Sequence, residues 1–274
     1  MKIQFSGTAA AEGIPALYCP CDTCKRARLL GESEHRTRSQ ALINGRLMID
    51  FPPETYAHAL KAGIALGEVH SYLITHTHSD HFYANDIAMI GGVFSNLPKD
   101  AEGYHFYGGE EMVKLGAPYA EKTEGLAQLH TLEPFKTYQI DGFSVTPLKA
   151  NHGTATPYIY IIGDGQKTML YAHDTGLFQE ETEDYLYREK PFFDLVSFDC
   201  TCGTWPDKNY GSHLSFGNIK PLAERMKKEG LISDKSILCV NHFSHNASDV
   251  LYESREAYEK EGFIMSRDGL EIEF

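Results

Sequence analysis

The sequence predicts an α/β (or α+β) chain in which two β-sheets pack face to face with helices on their outer sides. Three observations carry this. Strand-like runs interleave with helical ones in both halves of the 274 residues. Asn44-Gly45 and Asp141-Gly142 fall between apolar runs, and Asn-Gly in that setting is among the strongest local hairpin signals. No linker, low-complexity segment or internal repeat divides the chain, so residues 1–274 are expected to form a single domain.

The elements follow in order. A strand over residues 2–5 opens into the small-residue loop Ser6-Gly-Thr-Ala-Ala-Ala-Glu-Gly-Ile-Pro15, which either lets backbone approach a neighbour closely or simply turns. A cysteine knuckle leads into a short helix over residues 23–30. The hairpin comes next, 39–43 and 46–50 around Asn44-Gly45. Asp50 closes its second strand, either as a cap or as an outer partner of a metal cluster. Pro52-Pro53 starts a helix reaching about residue 62. Residues 103–108 read as a strand and 109–115 as a short helix. Two strands lie within 139–149, and 157–163 pairs with 167–172 around Asp164-Gly165. Helices are expected over 178–188 and 216–228, a short buried strand over 237–240, and a last helix over 248–260 capped by Ser248.

The stretch that stands out is Thr75-His76-Thr77-His78-Ser79-Asp80-His81. It follows the apolar run Val69-His-Ser-Tyr-Leu-Ile-Thr75, rich in β-branched and aromatic residues and therefore a buried strand. Such a strand delivers its last residues to a sheet edge. His76 and His78, two apart, share one face of an extended segment. Asp80 and His81 turn with the chain toward a helix expected over 83–90. One metal ion can be held by the first pair and another by the second; the competing interpretation is a histidine-rich surface loop.

More candidates recur where apolar strands end. His152 follows Val145-Thr-Pro-Leu-Lys-Ala-Asn151, Asp174 follows Met169-Leu-Tyr-Ala-His173, and His242 follows Ile237-Leu-Cys-Val-Asn241. Taken singly, each is more often a satisfied polar residue. Their joint recurrence behind a histidine cluster gathers ligand types at one sheet edge.

Composition narrows the partners. Apolar residues make up 42% and charged residues 23%, enough for a sizeable core in a soluble chain. The net charge is −13 with no basic stripe, which disfavours extended RNA or DNA and leaves room for a small anion held by metal ions. No basic segment leads into an apolar export stretch, and no apolar run nears the roughly 20 residues of a membrane span, so a cytoplasmic enzyme is expected. Three of the six cysteines sit in Cys19-Pro-Cys21-Asp-Thr-Cys24, while Cys200, Cys202 and Cys239 are scattered. Close thiols in that context read as metal ligands rather than disulfides.

His76-x-His78-x-Asp80-His81 followed by His152, Asp174 and His242 resembles the ligand set of the metallo-β-lactamase superfamily, along the whole chain. The resemblance implies a four-layer αββα sandwich. It places His76, His78 and His152 on one metal and Asp80, His81 and His242 on a second, with Asp174 bridging. Residue 78 is His where the di-iron oxidoreductase branch carries Glu, which favours hydrolysis. The loop from Ser6-Gly7-Thr8 to Pro15 and the run Cys19-x-Cys21-x-x-Cys24 look like the PhnP-type cyclic phosphodiesterases, a group that includes the phosphoribosyl 1,2-cyclic phosphate phosphodiesterase. That likeness implies an N-terminal knuckle in which Cys19, Cys21, Cys24 and His245 hold a structural zinc, a closed tetrahedral set. It also implies His213 as a catalytic histidine, and a homodimer.

The activity so expected is hydrolysis of a small, cyclic phosphodiester with two divalent ions (zinc, manganese or iron). A hydroxide bridging the metals attacks, Asp80 accepts its proton, and His213 protonates the leaving alkoxide. The departures from the pattern are Leu-Ser-Phe after His213, the 202–209 loop with Trp205, and His173 before Asp174; all three are expected to line the pocket. The rival readings are a lactone or thioester hydrolase, a nuclease, which would need a basic arm not visible here, and a PqqB-like non-hydrolytic metal-binding protein, a branch that has lost part of the dimetal set.

Overall fold

The computed structural model describes residues 1–98, 100–205 and 211–274. Residues 206–209 of the expected pocket loop, and Tyr210 before His213, lie outside the described residues. Fourteen described strands are β1 (Lys2–Gly7), β2 (Gln40–Ile43), β3 (Leu47–Ile49), β4 (Ser71–Leu73), β5 (Tyr104–Gly108), β6 (Ala127–Thr131), β7 (Tyr138–Ile140), β8 (Phe143–Lys149), β9 (Tyr158–Gly163), β10 (Thr168–Ala172), β11 (Leu195–Asp199), β12 (Ile237–Asn241), β13 (Phe263–Met265) and β14 (Leu270–Glu273). They form two seven-stranded sheets, β14-β1-β2-β3-β4-β5-β6 and β13-β12-β11-β10-β9-β8-β7. Each sheet changes from antiparallel to parallel pairing along its width, the first from β3 to β6 and the second from β10 to β13.

Alternation along the strands explains the layers. In β9, Tyr158, Tyr160 and Ile162 join Ile3, Phe5, Ile43, Ile49 and Met169 in a core between the sheets. Ile159 and Ile161 of the same strand face the other way, into a core completed by helices α4 (Glu180–Glu189) and α5 (Phe216–Lys228). A third core covers the outside of the first sheet, where Met48, Tyr72 and Phe106 meet Met112 of α3 (Glu110–Ala120). Burial on both faces is why these strands read as unbroken apolar runs. The expected αββα sandwich is what forms.

The hairpin turns are as expected. Asn44 and Gly45 have φ of 47° and 71°, and Asp141 and Gly142 have 47° and 80°, the paired positive values a type I′ turn demands. Helices α1 (Asp22–Leu30) and α2 (Thr55–Ala62) also match. Elsewhere the chain differs from the expectation. Residues 83–90 form a 3₁₀ segment, Ala84–Met89, pinned at one end by the Phe51–Phe82 bridge and stopped at the other by Gly91 and Gly92 at positive φ. The helix α3 runs five residues past 115, through Pro118.

The last helix is absent over most of 248–260. Ser248 caps nothing; its carbonyl accepts from Thr204 N, and Asp249 turns at φ 54°. What remains is a 3₁₀ turn, Tyr252–Ser254, whose first amides are taken by the Glu34 carboxylate, and the single-turn α6 (Glu256–Glu259). Strands β6, β11, β13 and β14 are not anticipated by the sequence reading.

Helix α2 is anchored to the first sheet by a buried histidine. His58 Nδ1 donates to Gln40 Oε1 at 2.7 Å, and its Nε2 lies 2.7 Å from the Thr37 hydroxyl. Burial, with a smaller push from Lys61, lowers its pKa from 6.5 to about 4. The folded chain therefore binds fewer protons than the unfolded one between those values. Stability that is complete above the unfolded pKa is lost as pH falls toward the folded one, on the order of 3 kcal/mol in all. In urea unfolding at pH 7 and pH 4.5, the stability advantage of the parent over His58→Gln should shrink on acidification; a constant difference would show that the ring is not held neutral.

Candidate metal centre

The site forms where parallel strands end. After β4, Thr75 anchors the turn: its N–H and its hydroxyl both donate to Asp50 Oδ1 at 2.8 Å. The other Asp50 oxygen accepts from His81 Nδ1 at 2.7 Å. Both carboxylate oxygens are thus engaged, and the His81 tautomer is set with Nε2 turned to the cluster. The structure therefore gives Asp50 the outer-partner position rather than a capping one.

Three imidazoles form one ligand group. His76 Nε2 lies 3.0 Å from His78 Nδ1, and His152 Nε2 lies 3.1 Å from that same nitrogen. A second group joins Asp80, His81, Asp174 and His242, with His81 Nε2 and His242 Nε2 3.3 Å apart. Asp174 sits between the groups. Its Oδ1 is 3.6 Å from His152 Nε2, and its Oδ2 is 3.8 Å from His76 Nε2, 2.5 Å from His81 Nε2 and 3.0 Å from His242 Nε2. All seven sequence candidates converge, from both sheets.

The donor set fits metal ions. Ring nitrogens about 3.3 Å apart match the edge of a tetrahedron with zinc–nitrogen bonds of about 2.0–2.1 Å. Asp174 Oδ2 is buried with no N–H directed at it as a hydrogen bond, an arrangement that a cation satisfies. Burial would raise the Asp174 carboxyl, but His242, His81 and His76 outweigh it and hold it well below the usual range. Asp50, Asp174 and His242 all have positive φ, at 66°, 49° and 64°. Each stands where a strand ends and the chain must turn its side chain back over the sheet edge.

His213 lies at the rim. Its Nδ1 is 3.1 Å from Asp199 Oδ2, 3.2 Å from the Thr201 hydroxyl and 3.6 Å from Asp174 Oδ1. Burial lowers its pKa, and the Asp199 and Asp174 carboxylates more than reverse that, raising it to about 9. Thr201 also lies 2.8 Å from His242 Nδ1. Asp199 and Thr201 escaped the sequence reading. Asp199 ends the strand Leu195-Val-Ser-Phe-Asp199 just as Asp174 and His242 follow theirs, so recognising β11 would have found it.

The cluster floors a cavity of about 390 Å³ whose wall includes Glu12 and Trp205. The loop after β1 reaches it because Gly7 passes so close to Arg38 that a Cβ there would lie 1.9 Å from the Arg38 carbonyl oxygen. Two expected pocket departures are corrected. His173 is fully buried away from the cavity, with Nε2 2.7 Å from the Ser197 hydroxyl, because strand alternation turns it between the sheets. Leu214 and Phe216 enter the core, and Ser215 forms the capping box of α5. Of the departures, Trp205 does line the cavity. Cys200, Cys202 and Cys239 are core residues.

A separate cluster joins Cys19, Cys21, Cys24 and His245. Cys21 Sγ is 3.5 Å from His245 Nδ1 and accepts from Cys24 N at 3.5 Å, capping α1. Burial raises the Cys21 thiol, but His245 and the backbone amide reverse this and bring it down to about 6; burial pushes Cys24 up to about 12. Three sulfurs and one imidazole suit a closed tetrahedral zinc site with no position for water.

Among curated proteins, none matches the chain in sequence. Solved structures do match in fold. Zinc-bound PqqB from Methylobacterium extorquens superposes with a TM-score of 0.77 at 18% identity over 100% of both chains. A diphosphatase from the PhnP family gives 0.73 at 18% identity, over 100% of this chain and 97% of its own. The short form of human tRNase Z gives 0.68 at 16%, over 100% and 99%. Residues 48–233 match the family model described as "Beta-lactamase superfamily domain". With that match over most of its length, a four-layer sandwich and a His/Asp cluster at one sheet edge, the chain belongs to the metallo-β-lactamase superfamily.

Proposed function

We propose that the chain is a dimetal hydrolase of a small phosphodiester, with cyclic diesters as the preferred class. The observation that carries this reading is the joint convergence of seven ligand types and an Asp199-held histidine on one cavity. The resemblance to PhnP-type enzymes and the fold shared with a PhnP-family diphosphatase and the short form of tRNase Z support phosphorus chemistry. The ligands come from both sheets, which supports treating 1–274 as one hydrolase domain. No described helix is long and apolar enough to cross a membrane.

His76, His78 and His152 would hold one ion, and Asp80, His81 and His242 the other, with Asp174 shared. Two divalent ions there supply charge neutralisation at a phosphoryl group and acidify water at neutral pH. The rest falls to the chain. Burial raises the Asp80 carboxyl and the neighbouring His81 more than reverses it, so the group stays ionised and serves as a ligand, a carboxylate held that low being a weak acceptor for the proton of water. Asp199 orients His213 through Nδ1 and stabilises its imidazolium, which puts a proton at the rim for the departing alkoxide. Asp50 and Thr201 fix the tautomers of His81 and His242. Cys19, Cys21, Cys24 and His245 would hold a structural zinc apart from the chemistry.

Three measurements bear on this. His76→Ala and Asp174→Ala should lower kcat/KM for bis(p-nitrophenyl) phosphate at least about 10³-fold while circular dichroism stays native; parental rates would overturn the dimetal account. Asp199→Asn should lower kcat by about 10²–10⁴-fold, the range of lost acid catalysis, with metal content by elemental analysis unchanged. A variant that lost metal instead would make Asp199 a ligand. Cys21→Ser should lose one zinc per chain and melt lower while its reconstituted cluster still takes up ions, and equal zinc counts in variant and parent would refute the knuckle assignment.

A further inference from the structure

We propose that Glu12 is a specificity-determining residue that selects phosphodiesters whose remaining arm is uncharged and carries hydrogen-bond donors, and rejects those bearing a second phosphate. The inference rests on the phosphodiester reading above and concerns the cavity wall, which that reading leaves unassigned.

Glu12 is held in place from both sides. Ala10 N donates to the Phe243 carbonyl at 2.9 Å, Gly13 N to the Ala10 carbonyl at 3.0 Å, and Ile14 N to the Arg36 carbonyl at 2.9 Å. The side chain itself is tied down: Glu12 Oε1 accepts the Ser244 hydroxyl and lies 3.7 Å from His245 Nε2. Its second oxygen makes no hydrogen bond among the described residues, and the side chain keeps 30% of its surface exposed while lining the cavity. A rigid carboxylate with a spare oxygen accepts hydrogen bonds and can donate none.

The charges around it set what it accepts. Among the described residues lining the cavity there are three carboxylates, Glu12, Asp80 and Asp174, and neither Lys nor Arg. Asp80 and Asp174 belong to the ligand groups; Glu12 does not. Divalent ions on the floor counter one phosphodiester. A second phosphate beside Glu12 would meet its carboxylate with no Lys or Arg among the described lining residues, the His213 imidazolium being held by Asp199, and like charges in a partly desolvated cavity repel. A sugar hydroxyl or an amine in that place instead donates to the carboxylate in a charge-assisted hydrogen bond. The overall charge of −13 adds a field of the same sign.

The test compares parent and Glu12→Gln, both metal-loaded, on ribose 1,2-cyclic phosphate, its 5-phosphate, and bis(p-nitrophenyl) phosphate. Gln keeps an oxygen for Ser244 and removes the charge. Preference is read as the ratio of kcat/KM for the two sugars within each protein, so any loss of active fraction cancels. The parent should favour the unphosphorylated sugar at least tenfold, mainly through KM, and Glu12→Gln should shrink that ratio at least threefold. A parent that prefers the 5-phosphate, or a ratio unchanged by Glu12→Gln, with bis(p-nitrophenyl) phosphate still hydrolysed, overturns the role of Glu12 and leaves the phosphodiester reading standing. Hydrolysis of none of the three overturns both.

Discussion

A buried carboxylate among imidazoles governs this molecule. Asp174 stands at the end of β10 with one oxygen facing His81 and His242 and the other facing His152. Such a charge cannot be left alone in a protein interior, and the rings around it bring their nitrogens within 3.0–3.3 Å of one another. Cations between those groups would satisfy the carboxylate and the ring nitrogens together. The arrangement is available because the strands of each sheet that run parallel end on the same edge, each delivering its next residue to one place.

A second tier of carboxylates makes the first one work. Asp50 at the end of β3 and Asp199 at the end of β11 are both fully buried and both hold histidines by Nδ1, the former His81 and the latter His213. One comes from each sheet. These bonds decide which ring nitrogen is presented, a choice that ligand identity alone does not make. The same separation of tasks holds for the knuckle, which uses His245 through Nδ1 and leaves its Nε2 toward Glu12.

How much could be read in the sequence follows from burial. Strands β4, β9, β10 and β12 are covered on both faces and read as continuous apolar runs, and the residues directly after β4, β10 and β12 included the ligands. The edge strands β6, Ala-Gln-Leu-His-Thr, and β14, Leu-Glu-Ile-Glu, carry exposed polar residues and lack that signal. β11 is buried, but its five residues follow Pro191-Phe-Phe-Asp without a turn signal, and missing it meant missing Asp199. The absent helix over 248–260 shows tertiary contacts overriding composition: Glu34, more than 200 residues away, takes the amides that would have begun it. Glu12 was invisible for the same reason, since its partner Ser244 is 232 residues distant.

The left-handed backbone at Asp50, Asp174 and His242 has one more consequence. Each of these residues is held in a sparsely populated conformation where its strand ends, and ions taken up by the cluster would stabilise the folded chain that holds it. Ion uptake and folding are then a single linked equilibrium. The midpoint of thermal unfolding belongs to the chain together with the free-ion concentration around it, and buffer composition becomes a thermodynamic variable of the fold.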